Sequence, residues 1–142
     1  MKFPFEIIVG SEAETKSVAH EFSAELKVGD IILLKGNLGS GKTFFVKSIC
    51  NVFDITAASS PSFAIVNEYS GKININHFDF YRIKKVEELY DLGFDEYIND
   101  ESKINIIEWA DLFHEILPSK NYEVKIEDLT NSKRKITIIK NE

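Results

Sequence analysis

The sequence predicts an α/β fold with a mostly parallel central sheet, flanking helices and antiparallel strands at the edge. Two short apolar runs, at residues 31–34 and 104–107, are typical of strands that are buried on both faces, as parallel strands are. Helical and strand-like segments alternate along the chain, which favours parallel connections. A polar turn at Asn131 and Ser132 separates two strand-like segments near the C-terminus and indicates an antiparallel hairpin.

The first half of the chain contains a helix, a strand and a second helix, in that order. Ser11 and Glu14 have the spacing of a helix capping box, so the first helix is predicted to begin there and to continue to about residue 26. Gly29 turns the chain into the strand at residues 31–34. Apolar side chains recur at helical spacing after Lys42, which predicts a second helix from residue 42 to about residue 53.

The second half of the chain is richer in strands. Alternation with a period of two, together with turn residues at Gly71 and Gly93 and a proline at position 118, marks the boundaries of its elements. The elements predicted after residue 60 are strands at 63–69, 73–80 and 104–107, short helices at 86–92 and 111–117, and a terminal hairpin of 122–127 with 135–139.

Composition excludes several functional classes. The chain has 142 residues, with 17 basic and 23 acidic side chains, a net charge of −6, and only two arginines, Arg82 and Arg134. It is a poor candidate for binding nucleic acid by itself, because phosphate contacts need clustered positive charge. The single cysteine, Cys50, excludes an internal disulfide, and neither a signal peptide nor an apolar run of about 20 residues is present. We expect a cytoplasmic protein with no membrane or DNA partner.

Residues 36–43 carry the strongest functional signal. They read Gly-Asn-Leu-Gly-Ser-Gly-Lys-Thr and match every fixed position of the phosphate-binding P-loop, between a predicted strand and a predicted helix. Backbone N–H groups of such a loop and the helix N-terminus bind phosphate oxygens, the lysine contacts the β- and γ-phosphates, and the threonine hydroxyl binds Mg²⁺. We therefore expect residues 1–142 to form a single P-loop ATPase domain with a P-loop NTPase-like fold. The expected nucleotide contacts in this loop are Asn37, Leu38, Gly39, Ser40, Gly41, Lys42, Thr43 and Phe44.

Two carboxylates are predicted to complete the site. Glu108 follows the apolar run at residues 104–107, and Asp79 ends the alternating strand. Ligands of open α/β sheets bind at the carboxyl ends of strands, so we expect Asp79 and Glu108 to act with Lys42 in catalysis and to bind the metal with Thr43. Whether Asp79 binds the metal or positions water stays open. His77 shares the strand face of Asp79 and is interpreted as a structural histidine.

The nucleotide is expected to be ATP, because the chain lacks the Asn-Lys-x-Asp motif with which GTPases bind guanine. Ser59-Ser60-Pro61-Ser62-Phe63 lies where many P-loop proteins have a segment that senses the γ-phosphate, and a simple polar turn is nearly as consistent with its spacing. Trp109 is either a core residue or a neighbour of the nucleotide.

Five motifs in fixed order resemble the TsaE family, bacterial P-loop ATPases also called YjeE. The resemblance extends from about Ser11 to the C-terminus. The motifs are the P-loop at 36–43, Ser-Pro-Ser-Phe with Val-Asn-Glu-Tyr at 60–63 and 66–69, His-Phe-Asp-Phe-Tyr-Arg at 77–82, Leu-Gly-Phe-Asp-Glu-Tyr at 92–97, and Ile-Ile-Glu-Trp at 106–109.

The resemblance implies a weak, Mg²⁺-dependent ATPase that supports the threonylcarbamoyladenosine modification of tRNA. It implies TsaD and TsaB as partners, with tRNA reached only through their complex. It also implies metal ligands at Thr43 and Glu108 and a role for Asp79 in hydrolysis. The remaining nucleotide contacts that it implies are Trp109, with Ser11, Glu12 and Arg134 near the base. Phe44 departs from the family, where a second threonine is frequent, and this leaves the hydrolysis rate open.

Two alternatives stay open. A small-molecule or nucleoside kinase usually needs an arginine-bearing lid over the transferred phosphoryl group, and only Arg82 and Arg134 are available for one. A nucleotide-binding interaction module would bind ATP without repeated turnover.

Overall fold

The computed structural model describes residues 1–56 and 65–142. Within these residues the chain forms seven strands, four α-helices and one 3₁₀ segment. The strands are β1 (Phe5–Val9), β2 (Ile31–Lys35), β3 (Val66–Tyr69), β4 (Asn74–Asp79), β5 (Lys103–Glu108), β6 (Asn121–Asp128) and β7 (Arg134–Asn141). The helices are α1 (Glu12–Ser23), α2 (Lys42–Val52), α3 (Val86–Leu92) and α4 (Phe94–Ile98), and the 3₁₀ segment is Ala110–Ile116.

The described strands form one mixed sheet in the order β1-β7-β6-β2-β5-β4-β3. Its centre is parallel, since β2 pairs in parallel with both β5 and β6, and β4 pairs in parallel with β5. Its edges are antiparallel, because β1 pairs with β7, β7 with β6, and β3 with β4. This arrangement confirms the predicted fold class.

Helices cover the two faces of the sheet and enclose two apolar cores. On one face, Ile32 and Leu34 pack with Phe22 of α1 and Phe45 of α2. On the other face, the alternate β2 residues Ile31 and Leu33 pack with Phe78 of β4, Leu89 of α3 and Phe94 of α4. Burial of successive β2 side chains on opposite faces explains why this strand is apolar throughout.

The capping box is present at the start of α1 in a shifted form. Ser11 Oγ accepts a hydrogen bond from the Glu14 backbone N–H at 3.2 Å, as predicted. The Glu14 carboxylate accepts from the N–H of Gly10, one residue before the cap, at 2.9 Å. The first bond satisfies a backbone donor that the helix itself leaves unpaired, and the second satisfies the donor of the residue before the cap.

Sequence patterns did not predict β1 or α4. β1 is exposed over most of its length and is held by β7, whose residues lie far away in the chain. The segment predicted as a helix at residues 111–117 is a 3₁₀ segment, with a non-helical backbone at Phe113. Of the strand predicted at 63–69, the structure shows Val66–Tyr69, and residues 63 and 64 lie outside the described residues. The predicted γ-phosphate-sensing segment at residues 59–63 also lies outside them. Among the described helices, none has the length and hydropathy needed to span a membrane.

Candidate nucleotide site

The P-loop joins the end of β2 to the start of α2. Gly41 is the N-cap of α2, with a left-handed backbone at φ 108°, and its carbonyl oxygen accepts from the N–H of Phe45 at 3.0 Å. A Cβ on Gly41 would lie 2.5 Å from a guanidinium nitrogen of Arg134. The left-handed backbone therefore favours glycine at this position, and a side chain here would also displace the guanidinium group of Arg134.

Lys42 is buried in the centre of the site. Its Nζ lies 3.9 Å from Glu108 Oε1 and 4.0 Å from the centroid of the Trp109 ring. It has no hydrogen-bond partner among the described residues. Burial lowers the pKa of Lys42, while the nearby carboxylate of Glu108 opposes this shift. A buried ammonium group without a hydrogen-bond acceptor is suited to bind an anion.

Asp79 and Glu108 end neighbouring parallel strands and point towards the P-loop. They border a cavity of about 240 Å³ at the carboxyl edge of the sheet. The residues that line it are Leu38, Gly39, Gly41, Lys42, Thr43, Asp79, Glu108 and Trp109. The cavity therefore brings together every residue predicted for catalysis or metal binding.

The environment of Asp79 disfavours its charged form. Burial raises the pKa of Asp79, and the charge of Glu108 raises it further. The N–H of Tyr81, which donates a hydrogen bond to Oδ1 at 2.9 Å, lowers this pKa. The net shift is upward from the ordinary value of 3.8. A divalent cation between the two carboxylates would relieve this cost.

The structure adds His77 to the site. His77 is fully buried, its Nε2 lies 2.6 Å from Glu108 Oε2, and its Nδ1 lies 3.2 Å from the hydroxyl of Tyr69. Alternation along β4 had placed His77 on the same face as Asp79. The contact with Glu108 depends on the register of β4 against β5, in which His77 is opposite Ile106, and a single strand does not reveal that register.

Trp109 connects the cavity to the core. Its backbone is left-handed, with φ 59° and ψ 34°, which is uncommon for a bulky residue and turns the chain sharply out of β5. The indole ring lies against Lys42 and against Tyr81, whose ring centroid is 5.0 Å away. It also packs against the core formed with α3 and α4, so Trp109 lies between that core and the cavity, and its contact with a nucleotide stays a prediction.

The residues predicted near the base also meet in space. A cavity of about 190 Å³ is lined by Val9, Ser11, Glu12, Thr15, Ser132 and Arg134. The Nε of Arg134 lies 3.3 Å from Asp128 Oδ1, and its guanidinium group approaches Gly41. The second cavity therefore borders the P-loop on the side of α1.

The other predicted loop contacts differ in exposure. Leu38 is 69% exposed and Asn37 is also exposed. Ser40 is buried, and its hydroxyl has no hydrogen-bond partner among the described residues. Phe44 is partly buried, and its carbonyl oxygen accepts from the hydroxyl of Ser48 at 2.9 Å.

Comparison with known proteins identifies the family. The family model described as "Threonylcarbamoyl adenosine biosynthesis protein TsaE" matches residues 9–136. The chain belongs to the TsaE family. Membership connects the P-loop cavity with a family whose role is threonylcarbamoyl adenosine biosynthesis.

Individual TsaE relatives cover most of this chain. Proteins named "tRNA threonylcarbamoyladenosine biosynthesis protein TsaE" are 42% identical over 135 residues in Rickettsia prowazekii and 38% identical over 126 residues in Bacillus subtilis. The alignments span 93% of this chain and 92% of the first relative, and 87% of this chain and 78% of the second. The crystal structure of YdiB from Bacillus subtilis superimposes with a TM-score of 0.82 at 30% identity, covering 97% of this chain and 86% of that one.

The donor atoms of this TsaE family member fit Mg²⁺. The cavity offers the Thr43 hydroxyl and the carboxylates of Asp79 and Glu108, which are hard oxygen ligands. In residues 1–56 and 65–142, no group of three or more histidine, cysteine, aspartate or glutamate side chains forms a metal cage. A site with few protein ligands is typical of Mg²⁺, which is bound largely through substrate phosphates and water.

Proposed function

We propose that this chain is a Mg²⁺-dependent ATPase that supports the threonylcarbamoyladenosine modification of tRNA by acting on a complex of TsaD and TsaB. The observation that carries the proposal is the cavity in which Lys42, Thr43, Asp79 and Glu108 converge below the P-loop. Family membership supports the biosynthetic role.

Each side chain of the cavity has a distinct part in the proposal. The ammonium group of Lys42 binds phosphate oxygens together with the backbone N–H groups at the start of α2. Thr43 and Glu108 would hold Mg²⁺, which when bound neutralises charge on the phosphates. Asp79 either adds a ligand or positions the attacking water, and its raised pKa is consistent with a group adjacent to a cation in the working state.

ATP and ADP are the proposed nucleotides. The cavity lined by Ser11, Glu12 and Arg134 borders the P-loop and has space for part of a base or ribose. Its polar lining favours the polar part of a nucleoside over an apolar ligand.

TsaD and TsaB are the proposed partners, and contact with tRNA is proposed to occur only through them. The net charge of −6 supports this indirect link, because an acidic chain binds polyanions weakly. A cytoplasmic location follows from a tRNA substrate. DNA and membranes are not among the proposed partners.

Phosphate release from ATP tests the proposal. The full chain would be incubated with ATP and either Mg²⁺ or EDTA, with and without purified TsaD and TsaB. We expect slow, Mg²⁺-dependent release that changes when the partners are added, and co-purification with TsaD and TsaB that depends on the nucleotide. Transfer of phosphate to a metabolite without free phosphate would indicate a kinase instead. Binding without repeated turnover, even with the partners, would indicate an interaction module.

A further inference from the structure

A continuous chain of polar contacts leads from the edge strand β3 to the carboxylate of Glu108. The amide of Asn67 donates to the hydroxyl of Tyr69 at 3.3 Å, and this hydroxyl lies 3.2 Å from His77 Nδ1. His77 Nε2 in turn lies 2.6 Å from Glu108 Oε2. Tyr69, His77 and Glu108 are all buried, so these contacts are shielded from water.

The donor and acceptor roles at the Glu108 end of this chain follow from the chemistry of a carboxylate. An ionised carboxylate only accepts hydrogen bonds, so the short contact with Glu108 requires a proton on His77 Nε2. The Tyr69 hydroxyl accepts from Asn67 and lies 3.2 Å from Nδ1, a distance at which an O–H group donates to a ring nitrogen. The imidazole therefore donates to Glu108 through Nε2–H, and its other nitrogen contacts Tyr69.

The two oxygens of Glu108 have different partners. Oε2 contacts His77, whereas Oε1 lies 3.9 Å from Lys42 Nζ, on the side of the P-loop cavity. A carboxylate without a hydrogen-bond partner rotates easily about its terminal torsion, which is a soft degree of freedom. The His77 contact at Oε2 restricts that rotation, with Oε1 directed at the cavity.

We propose that His77 is a positioning residue for Glu108, which it holds through an Nε2–H donor that is itself oriented by Tyr69. The metal and the nucleotide in this proposal rest on the proposed function, whereas the contacts of His77 with Glu108 and Tyr69 do not depend on it. Groups of this kind, which orient a ligand without touching the metal, typically change metal affinity 10–100-fold when they are removed.

The first experiment measures the position of the proton and needs no nucleotide. Long-range ¹H–¹⁵N correlation spectra of the labelled full chain report which nitrogen of each imidazole carries hydrogen. The His77 signal is assigned by its loss in His77→Gln. We expect a bonded proton on Nε2. A proton on Nδ1 instead of Nε2 would overturn the proposal.

The second experiment measures metal affinity with Mn²⁺ as a paramagnetic probe in the presence of ADP. His77→Phe keeps a planar ring but removes the donor, and we expect it to bind Mn²⁺ 10–100-fold more weakly than the parent. In His77→Gln the amide nitrogen lies at a similar distance from the backbone as Nε2, so we expect rescue to within about threefold of the parent. Tyr69→Phe removes only the distant hydroxyl, and we expect a loss of severalfold.

ADP affinity in EDTA separates positioning from damage to the fold. We expect both His77 variants to match the parent within about twofold, because Lys42 and the P-loop backbone are unchanged. Unchanged Mn²⁺ affinity in His77→Phe, or an equal loss with and without metal, would contradict the positioning role. If His77→Phe does not fold, Tyr69→Phe and the proton measurement decide the matter. If the parent binds no nucleotide, the proposed function fails, while the proton measurement still tests the His77–Glu108 contact.

Discussion

Asp79 and Glu108 are paired residues of the parallel ladder between β4 and β5. Their side chains leave the sheet on the same face and border the same cavity. Burial is the largest cost of charging Asp79, and repulsion by the carboxylate of Glu108 on the adjacent strand adds to it. The fold therefore accepts an unfavourable charge arrangement at the point where the P-loop begins α2, as is typical of functional sites.

Replacement of Lys42 by alanine is expected to abolish nucleotide binding without harming the fold. The buried ammonium group has no hydrogen bond among the described residues, so its removal breaks none. The ion pair that is lost is the weak one with Glu108, at 3.9 Å. We expect ADP affinity to fall at least 100-fold, measured by titration calorimetry, with an unchanged or higher Tm. Lys47→Ala, which removes an exposed lysine from the same helix, is the control and should bind like the parent. Equal affinity in both variants would remove Lys42 from the site.

Replacement of Glu108 by glutamine is expected to separate nucleotide binding from hydrolysis. The amide keeps the shape and an acceptor for His77 but loses the charge that would hold Mg²⁺. We expect phosphate release to fall at least tenfold, while ADP affinity in EDTA stays within about threefold of the parent. Glu115→Gln, an exposed change in the 3₁₀ segment, provides the control. Undiminished Mg²⁺-dependent release in Glu108→Gln would refute this metal ligand.

Replacement of Asp79 by asparagine is expected to stabilise the chain while reducing activity. The raised pKa of Asp79 means that the folded state binds its proton more tightly than the unfolded state does. Ionised Asp79 therefore destabilises the fold above its raised pKa, and this penalty disappears as the pH falls from there to below the ordinary value of 3.8. Asparagine keeps an acceptor for the N–H of Tyr81 without the charge.

We expect Tm of Asp79→Asn to exceed that of the parent at pH 7, and the difference to vanish in acid. Melting curves of both proteins between pH 3 and pH 8 check this dependence. A parent that is the more stable of the two at neutral pH would show that the carboxylate is better solvated than its burial indicates.

Replacement of Gly41 by alanine is expected to impair both stability and binding. The left-handed backbone at φ 108° is strained for alanine, and the new Cβ would meet Arg134 at 2.5 Å. We expect a loss of about 1–3 kcal/mol in the free energy of unfolding, measured with denaturant. In the double variant Gly41→Ala with Arg134→Ala, we expect recovery of only that part of the lost stability that comes from the contact between the new Cβ and Arg134. Gly10→Ala has open space around its Cβ and should be neutral.

Local patterns predicted most of the fold because local physics governs those elements. The apolar run of β2, the capping residues of α1 and the glycine after α3 each act over a few neighbouring residues. β1 escaped prediction because most of its side chains are exposed and its partner β7 lies at the other end of the chain. The 3₁₀ segment was predicted as a helix of residues 111–117, because helical spacing does not distinguish a 3₁₀ segment from a short α-helix.

The sequence by itself determined the P-loop, the strand before it, the helix after it and the carboxylates at two strand ends. These features follow from residue types and spacing within short windows. Only the tertiary structure decided that His77 contacts Glu108, that Arg134 lies against Gly41 and that Trp109 packs on Lys42. The physical reason is strand register and packing between distant segments, since a contact across the sheet depends on how separate strands align and not on either strand alone.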